Sequence, residues 1–399
     1  MSRSTLLCIL GLALPLGSVA SGGERKKPAR GGRGWMDCKN SPAKHPGPWR
    51  PIKDTPEGAR LRKELAGRGR IAFASNRDGN WEIYATDPDG RGQVNLTKNP
   101  AWDFYPRWSP DGKRIVFFSD RDSEARIAGR VDQLMQLEMT WTRPRNWEPK
   151  HWGAYVGVKV GVYSMNPDGS DVKRLVPLGS NACLSPDGKF VAYEYEDTLH
   201  ILNLGTGKSH LGTPPHWGGA WEPSFSEDGK QILCMTGNEA GYSPTIFPLG
   251  PGCVPTGAYR VLCNGGEACH PRWAPGCKRV IYSQDTRGAK LRWVSLDEKG
   301  EGDYNFLPGK DIDLGVDDKK IITVCPTVSP DGKYIACAQS PVYFEVKRKA
   351  ERLGYKHWNY GRQIIWQELC VARADGKALI QITDGGYANR DPDWFIPKE

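Results

Sequence analysis

Short apolar segments alternate with polar turns along most of the chain, and one turn returns before several of them. The sequence SPDGK stands at residues 109–113, 185–189 and 329–333, and altered copies stand at 226–230 (SEDGK) and 274–278 (APGCK). In such a turn Pro presets φ, Asp bonds its own backbone and Gly takes a positive φ. The pattern predicts many short β-strands joined by tight turns.

A second type of turn follows further along each repeated unit. It occupies residues 87–90, 166–169, 204–207, 297–300 and 374–377. Each unit therefore has strand a, a turn, strand b, a loop, strand c, a turn and strand d. Units of four strands that repeat at about 40–45 residues are typical of a β-propeller, with one unit per blade.

The first strand of each unit begins with a short leader sequence. The leaders are YPRW (105–108), NACL (181–184), EPSF (222–225), HPRW (270–273), CPTV (325–328) and DPDW (391–394). No further unit follows the last leader, whereas residues 69–97 form a unit that lacks strand a. We therefore predict an all-β, six-bladed β-propeller over residues 69–399, closed by pairing of the C-terminal strand into the N-terminal blade.

Two segments, IAFASNRDGNWEIYATDPDG (71–90) and YPRWSPDGKRIVFFSDRD (105–122), resemble the TolB-type six-bladed β-propeller family. The resemblance extends over nearly all of residues 69–399 and is weakest in the third to fifth units. It implies a propeller fold and indicates little about function. TolB carries an N-terminal α/β domain, and only residues 21–68 precede the repeats in this chain, so we expect a TolB-like protein without that domain.

The N-terminus reads as a secretory signal. Residues 1–20 combine a basic start, an apolar segment and small residues before a cleavage site near Ala20. The apolar segment is too short to span a bilayer, and no later run approaches the required ~20 residues. We expect a periplasmic or secreted protein without a transmembrane segment, in which residues 21–68 form a Pro-rich, basic leader.

The net charge of +9 and the cysteines refine this picture. Because export makes a nucleic-acid partner improbable, the basic charge favours a protein or an anionic glycan as partner. Four cysteines in apolar runs are predicted to be buried, namely Cys183, Cys234, Cys337 and Cys370. Four that crowd one region are candidates for disulfides, namely Cys253, Cys263, Cys269 and Cys277.

Two insertions, at residues 123–157 and 341–363, fall in b–c loops. In a propeller the a–b and c–d turns share one face, which we call the turn face, and the b–c and d–a connections share the other, the top face. We predict that both insertions are partly helical. They either pack onto the propeller or form a cap over its centre.

The residues at one position of the leaders should meet at the top rim of the central channel. They are Tyr105, Asn181, Glu222, His270, Cys325 and Asp391. Carboxylate, imidazole and thiol groups that converge there could bind a divalent metal, for which His270, Glu222 and Asp391 are the candidate ligands. Alternatively, polar residues before Pro satisfy backbone groups at the strand ends.

Tryptophans are frequent in the predicted top-face connections. Trp102, Trp217 and Trp221 fall in d–a loops. Such flat aromatic rings suit stacking on sugars, and they suit protein contacts equally well.

Known catalytic motifs are absent from the sequence, including Gly-x-Ser-x-Gly and His-Glu-x-x-His. We therefore predict a non-enzymatic, monomeric binding propeller without a cofactor, which uses its top face on a protein or a cell-surface polysaccharide. The alternative is a metal-assisted polysaccharide enzyme that resembles oligogalacturonate lyase, whose metal is held largely by histidines. Its candidate histidines are His151, His216, His270 and His357.

Overall fold

The computed structural model describes residues 54–122, 160–214, 219–238, 241–263, 268–284, 290–300, 306–316, 321–341, 367–384 and 387–397. Within these ranges the strands form six four-stranded antiparallel sheets, which we call blades 1 to 6. The prediction of a six-bladed β-propeller is therefore confirmed.

The first three blades contain, from the innermost strand outward, the following strands. Blade 1 contains β24 (Asn389–Phe395), β1 (Arg70–Ser75), β2 (Glu82–Thr86) and β3 (Val94–Asn95). Blade 2 contains β4 (Asp103–Trp108), β5 (Ile115–Ser119), β6 (Gly161–Met165) and β7 (Lys173–Val176). Blade 3 contains β8 (Ser180–Leu184), β9 (Phe190–Tyr195), β10 (Thr198–Asn203) and β11 (Ser209–Leu211).

The remaining three blades follow the same order. Blade 4 contains β12 (Ala220–Phe225), β13 (Gln231–Asn238), β14 (Gly241–Pro248) and β15 (Arg260–Val261). Blade 5 contains β16 (Ala268–Trp273), β17 (Arg279–Gln284), β18 (Lys290–Ser295) and β19 (Lys310–Asp311). Blade 6 contains β20 (Ile321–Val328), β21 (Tyr334–Pro341), β22 (Glu368–Arg373) and β23 (Leu379–Gln381).

The repeated Ser-Pro-Asp-Gly sequence forms a turn that is held by its own side chains. Ser109 Oγ donates to Asp111 Oδ1 at 2.6 Å, and the same oxygen accepts the Lys113 N–H at 3.0 Å. Gly112 supplies the positive φ, 69°, that the turn requires. Equivalent bonds recur in the turns that begin at Ser185, Ser226 and Ser329. The motif therefore reverses the chain between strands a and b with little help from outside.

The inner strand of blade 1 comes from the C-terminal end of the chain. β24 pairs antiparallel with β1, with Trp394 opposite Ile71 and Asn389 opposite Ser75. One sheet thus joins the first and the last strands of the repeat region.

The core lies between the blades. In the described residues, six clusters of buried apolar side chains fill the six interfaces between neighbouring blades. In β1, Ile71 and Phe73 face blade 6, whereas Ala72 and Ala74 face blade 2. Because both faces of each sheet are covered, strands such as β1 and β5 read as continuous apolar runs.

A helix precedes the propeller. Helix α1 (Pro56–Leu65) begins after Thr55, whose Oγ1 accepts the Gly58 N–H at 3.1 Å. Leu61 and Leu65 are fully buried in the cluster between blades 6 and 1. The predicted leader, residues 21–68, therefore includes a helix that contributes to the core.

The disulfide prediction is wrong for the described residues, none of whose cysteines forms a disulfide. Cys263 and Cys269 flank the connection into β16, towards the top face, whereas Cys253 and Cys277 lie in short 3-10 turns on the turn face. Cysteines that are near in sequence are thus distributed between opposite ends of the blades. Burial of Cys183, Cys234, Cys337 and Cys370 is confirmed.

Both predicted insertions fall between the second and third strands of a blade. Residues 123–159 lie between β5 and β6, and residues 342–366 lie between β21 and β22. The helices and the cap predicted for them lie outside the described residues.

Candidate functional site

One residue in each inner strand has a left-handed backbone. The six residues, with φ between 40° and 56°, are Tyr105, Asn181, Glu222, His270, Cys325 and Asp391. At each of them the register of the inner strand against its neighbour shifts, as in a β-bulge. A β-bulge re-aims a side chain. These residues are the ones that align in the leader sequences, and they lie within the strands; we call them the six ring residues.

The bulge explains the proline that follows in five of the blades. The prolines are Pro106, Pro223, Pro271, Pro326 and Pro392. The two residues of each bulge have no register partner on the neighbouring strand, so the missing N–H of proline costs no ladder hydrogen bond. A left-handed backbone costs a non-glycine residue about 1–2 kcal/mol. Strain of this kind clusters at functional sites.

Blades 4, 5, 6 and 1 bring four potential ligand groups together. One ligand atom each of His270, Cys325 and Asp391 lie within 4.8 Å of one another. Glu222 Oε1 lies 3.5 Å from His270 Nε2. Glu222, Cys325 and Asp391 are buried, with exposed fractions of 7%, 5% and 2%. Of the metal ligands predicted from sequence, His270 and Asp391 belong to the closest group, which Cys325 completes in place of Glu222.

Several polar atoms of the six ring residues have no hydrogen-bond partner although they are buried. They are Asn181 Oδ1, Glu222 Oε2, His270 Nδ1 and Asp391 Oδ1. An unsatisfied buried polar group costs about 1–3 kcal/mol, and native proteins contain few of them. The unsatisfied atoms favour a ligand site over the alternative that these side chains serve to satisfy strand ends.

Arg390 was not predicted, although it precedes Asp391 in the same leader strand. Its Nε donates to Asp391 Oδ2 at 2.7 Å, and its NH2 group donates to the Tyr105 hydroxyl at 3.2 Å. The guanidinium carbon lies 5.5 Å from the centre of the Tyr105 ring. Burial holds the pKa of Tyr105 well above its usual value, so the phenol stays neutral beside Arg390.

Glu194, in β9, is a second residue that the sequence analysis missed. Both of its carboxylate oxygens accept from Asn181 Nδ2 at 2.8 Å, and Oε1 also accepts the Glu222 N–H at 2.6 Å. Burial raises the pKa of Glu194 to about 8, and these hydrogen bonds oppose the rise. The signal in the sequence is a glutamate inside the apolar run FVAYEY. Glu194 fixes Asn181 and the bulge of blade 4.

Cys325 is a protonated thiol in this environment. Burial raises its pKa well above the ordinary value, and the charge of Asp391 adds to the rise. A free thiol in such a place is a poor nucleophile, because the thiolate is the reactive form.

A charged pair lies two residues further along two of the inner strands, β4 and β24. Arg107 and Asp393 approach each other to 3.7 Å, and Asp393 Oδ2 accepts the Trp108 N–H at 2.7 Å. Burial raises the pKa of Asp393 to about 6, with Arg107 opposing the rise. The ring residues therefore adjoin a second polar layer.

The three tryptophans predicted for the d–a loops divide among different environments. Trp102 packs into the cluster between blades 1 and 2, with its ring centre 6.3 Å from that of Phe104. Trp221 lies in β12, and its Nε1 donates to Asp197 Oδ1 at 3.1 Å. The loop placement of Trp221 was therefore wrong. Trp217 lies outside the described residues.

Of the four histidines in the alternative enzyme hypothesis, the described residues include only His270. His270 is one of the six ring residues, whereas His151, His216 and His357 lie outside the described residues.

These observations define a six-bladed β-propeller with a buried polar cluster in its inner strands. Its blades are of the TolB-like kind, as comparison with known proteins shows. A TolB homologue of Chlorobium luteolum is 29% identical over 174 residues, which are 38% of this chain and 39% of that protein. The Tol-Pal system protein TolB of Geobacter sulfurreducens is 45% identical over 47 residues, which are 12% of this chain and 11% of that protein.

A solved structure agrees on the fold. The TolB structure from Acinetobacter baumannii superposes with a TM-score of 0.53 at 14% identity, covering 84% of this chain and 69% of that one. No protein-family model matches the sequence. The similarity thus establishes a TolB-like propeller. The match spans 39% of the length of the Chlorobium protein and 11% of the length of the Geobacter protein, well short of either whole relative.

Proposed function

We propose that this chain is an exported, non-enzymatic TolB-like propeller that binds a protein partner through its top face. The likeness to TolB supports a protein-binding, periplasmic role. The signal-like residues 1–20 support export. No helix of the described residues is both long and apolar enough to cross a bilayer.

The observation that carries the choice of face is an aromatic pair. Trp221, in the inner strand of blade 4, and Tyr242, next to the b–c hairpin of the same blade, meet edge to face with ring centres 5.6 Å apart. Tyr242 is 39% exposed. Amphipathic aromatic side chains of this kind are enriched at protein interfaces. The turn face also carries an exposed tyrosine, Tyr259, but its Ser-Pro-Asp-Gly turns bond their own polar groups and leave few of them for a partner.

A photo-crosslinking residue in place of Tyr242 tests this proposal. In cells of the native host we expect it to trap a partner protein as one discrete higher-mass species. The matched control carries the same residue in place of Tyr259, which is 54% exposed but lies in a c–d connection, on the turn face.

Comparable crosslinking from position 259 would contradict the choice of the top face. If the higher-mass species disappears on digestion with glycan-degrading enzymes, the partner is a polysaccharide and not a protein. N-terminal sequencing of the mature chain checks export, with a start near Ser21 expected.

A metal-assisted polysaccharide enzyme is the second candidate, because His270, Cys325 and Asp391 form a possible metal site. A purified, metal-loaded chain that releases unsaturated sugars from polygalacturonate would favour this candidate. If the polygalacturonate stays intact, the non-enzymatic binding role is retained.

A further inference from the structure

Three side chains of different chemistry surround one point in the inner strands. The ligand atoms of His270, Cys325 and Asp391 lie within 4.8 Å of one another, so one point is at most about 2.8 Å from all three. Bonds from zinc to nitrogen, oxygen and sulfur are about 2.0–2.3 Å. Shifts of about 0.5–0.8 Å in the side chains would therefore complete three bonds of ordinary length.

A second observation points to a bound ion at the same place. Asp391 Oδ1 and Glu222 Oε2 are buried oxygens without a hydrogen-bond partner, and the two residues are 2% and 7% exposed. Asp391 accepts from Arg390 through Oδ2, and its carboxylate also lies within hydrogen-bonding reach of the Cys325 thiol. A cation bound by Asp391 would satisfy Oδ1, which the protein leaves without a partner.

The two nitrogens of His270 have different surroundings. Nε2 lies 3.5 Å from Glu222 Oε1, whereas Nδ1 is buried without a partner. Histidine ligands usually donate their second ring N–H to a carboxylate, which orients the ring. Nδ1 thus suits the role of ligand, and Glu222 suits the role of a positioning residue.

We infer that the centre of this propeller binds one zinc ion through His270, Cys325 and Asp391, with Glu222 positioning His270. This inference goes beyond the protein-binding role and does not depend on it. A thiolate with an imidazole and a carboxylate is a set that zinc accepts, whereas calcium and magnesium prefer oxygen ligands alone. Three protein ligands leave a fourth position for water or for a donor atom of another molecule.

The charges around the site agree with a dication. A bound zinc ion balances the Cys325 thiolate and the Asp391 carboxylate, and a coordinating thiol is held deprotonated by the metal. Arg390, 2.7 Å from Asp391, supplies one further positive charge, which balances Glu222. The buried group therefore has no net charge when zinc is present, which reduces the cost of burying its charges.

The test measures metal on the whole chain, purified without chelator or nickel resin. Elemental mass spectrometry should find about one zinc per chain. Replacement of zinc by cobalt should produce the near-ultraviolet absorption of a thiolate–cobalt bond. Cys325→Ser should remove that absorption. Glu222→Gln should weaken zinc affinity about 10–100-fold, as changes of metal-orienting groups do.

Cys269→Ser is the matched control, because Cys269 adjoins His270 in β16 but is not among the three clustered groups. It should retain both the zinc and the cobalt absorption. All variants are compared by circular dichroism and by unfolding in the presence of chelator, and Asp391→Asn replaces Cys325→Ser if the latter does not fold. The inference is overturned if the wild-type chain takes up no zinc from micromolar solution, or if the cobalt absorption survives in Cys325→Ser.

Discussion

Asp103 illustrates how a single buried carboxylate makes stability depend on pH. It is fully buried, and Arg121 donates to its Oδ1 at 3.0 Å. Burial raises its pKa from 3.8 to about 6, with the charge of Arg121 opposing the rise. The folded state therefore holds the proton more tightly than the unfolded state. The resulting stabilisation is complete below about pH 4 and is lost as the pH rises towards about 6.

We expect Asp103→Asn to remove this dependence. The difference in unfolding free energy between wild type and variant should fall by up to about 3 kcal/mol from pH 4 to pH 7. Urea unfolding at several pH values measures it. Asp111→Asn is the contrasting variant, because the hydrogen bond from Ser109 lowers the pKa of Asp111 and its stabilisation is lost on acidification. Parallel stability curves for wild type and Asp103→Asn would contradict the argument.

At the residue scale, the sequence predicts which side chains belong to the ring but not how they meet. Tyr105, His270 and Asp391 align because each stands before a proline in a leader. Their positive φ values were not predictable locally, since a following proline restricts the backbone mainly to extended conformations. The roles of Arg390 and Glu194 depend on distances between strands, and in part between different blades, which no local pattern reports.

At the scale of elements, the a–b turn of blade 2 also makes a close contact with another blade, which its sequence does not show. A Cβ atom on Gly112 would lie 1.9 Å from the ring of Phe395, in β24. The same position in blade 3, Gly188, has an equal φ of 69° and nothing within 4 Å. The turn of blade 2 therefore accommodates the closing strand as well as reversing the chain.

These two glycines form a matched pair for measurement. Gly112→Ala and Gly188→Ala add the same backbone strain, and Gly112→Ala should cost about 1–3 kcal/mol more, because it also overpacks Phe395. Chemical denaturation gives both values. In a double variant with Phe395→Ala, most of the extra cost should disappear. Equal costs for the two single variants would show that Phe395 moves aside freely.

Elements made by local chemistry were predictable, whereas elements placed by the assembled ring were not. The Ser-Pro-Asp-Gly turns form from their own side chains, so the sequence shows them directly. The disulfide prediction failed because closeness in sequence does not report which end of a blade a cysteine occupies. Trp221 was placed in a loop because nothing in the sequence marks where β12 begins.

At the scale of the whole molecule, we expect stability to depend on β24, the strand that pairs the C-terminal end of the repeat region with β1. Deletion of residues 389–399 should abolish cooperative unfolding, because β1 loses its inner neighbour and the blade 6–blade 1 cluster loses the buried Trp394. A thermal melt followed by circular dichroism measures this. The control removes only residues 397–399, beyond β24, and should melt like the wild type. A deletion variant with an unchanged melting temperature would refute the importance of closure.

The same strand sets an order of events during synthesis. Blades 2 to 6 each consist of strands that are consecutive in the chain, so each is able to form as its residues emerge. Blade 1 has to wait for residues 389–395, since Ile71 pairs with Trp394 and contacts so distant in sequence form slowly. Asp391 belongs to that last strand, whereas His270 and Cys325 are made earlier. The three proposed zinc ligands therefore come together only when β24 has joined blade 1. Zinc binding would then report that the propeller is completely folded.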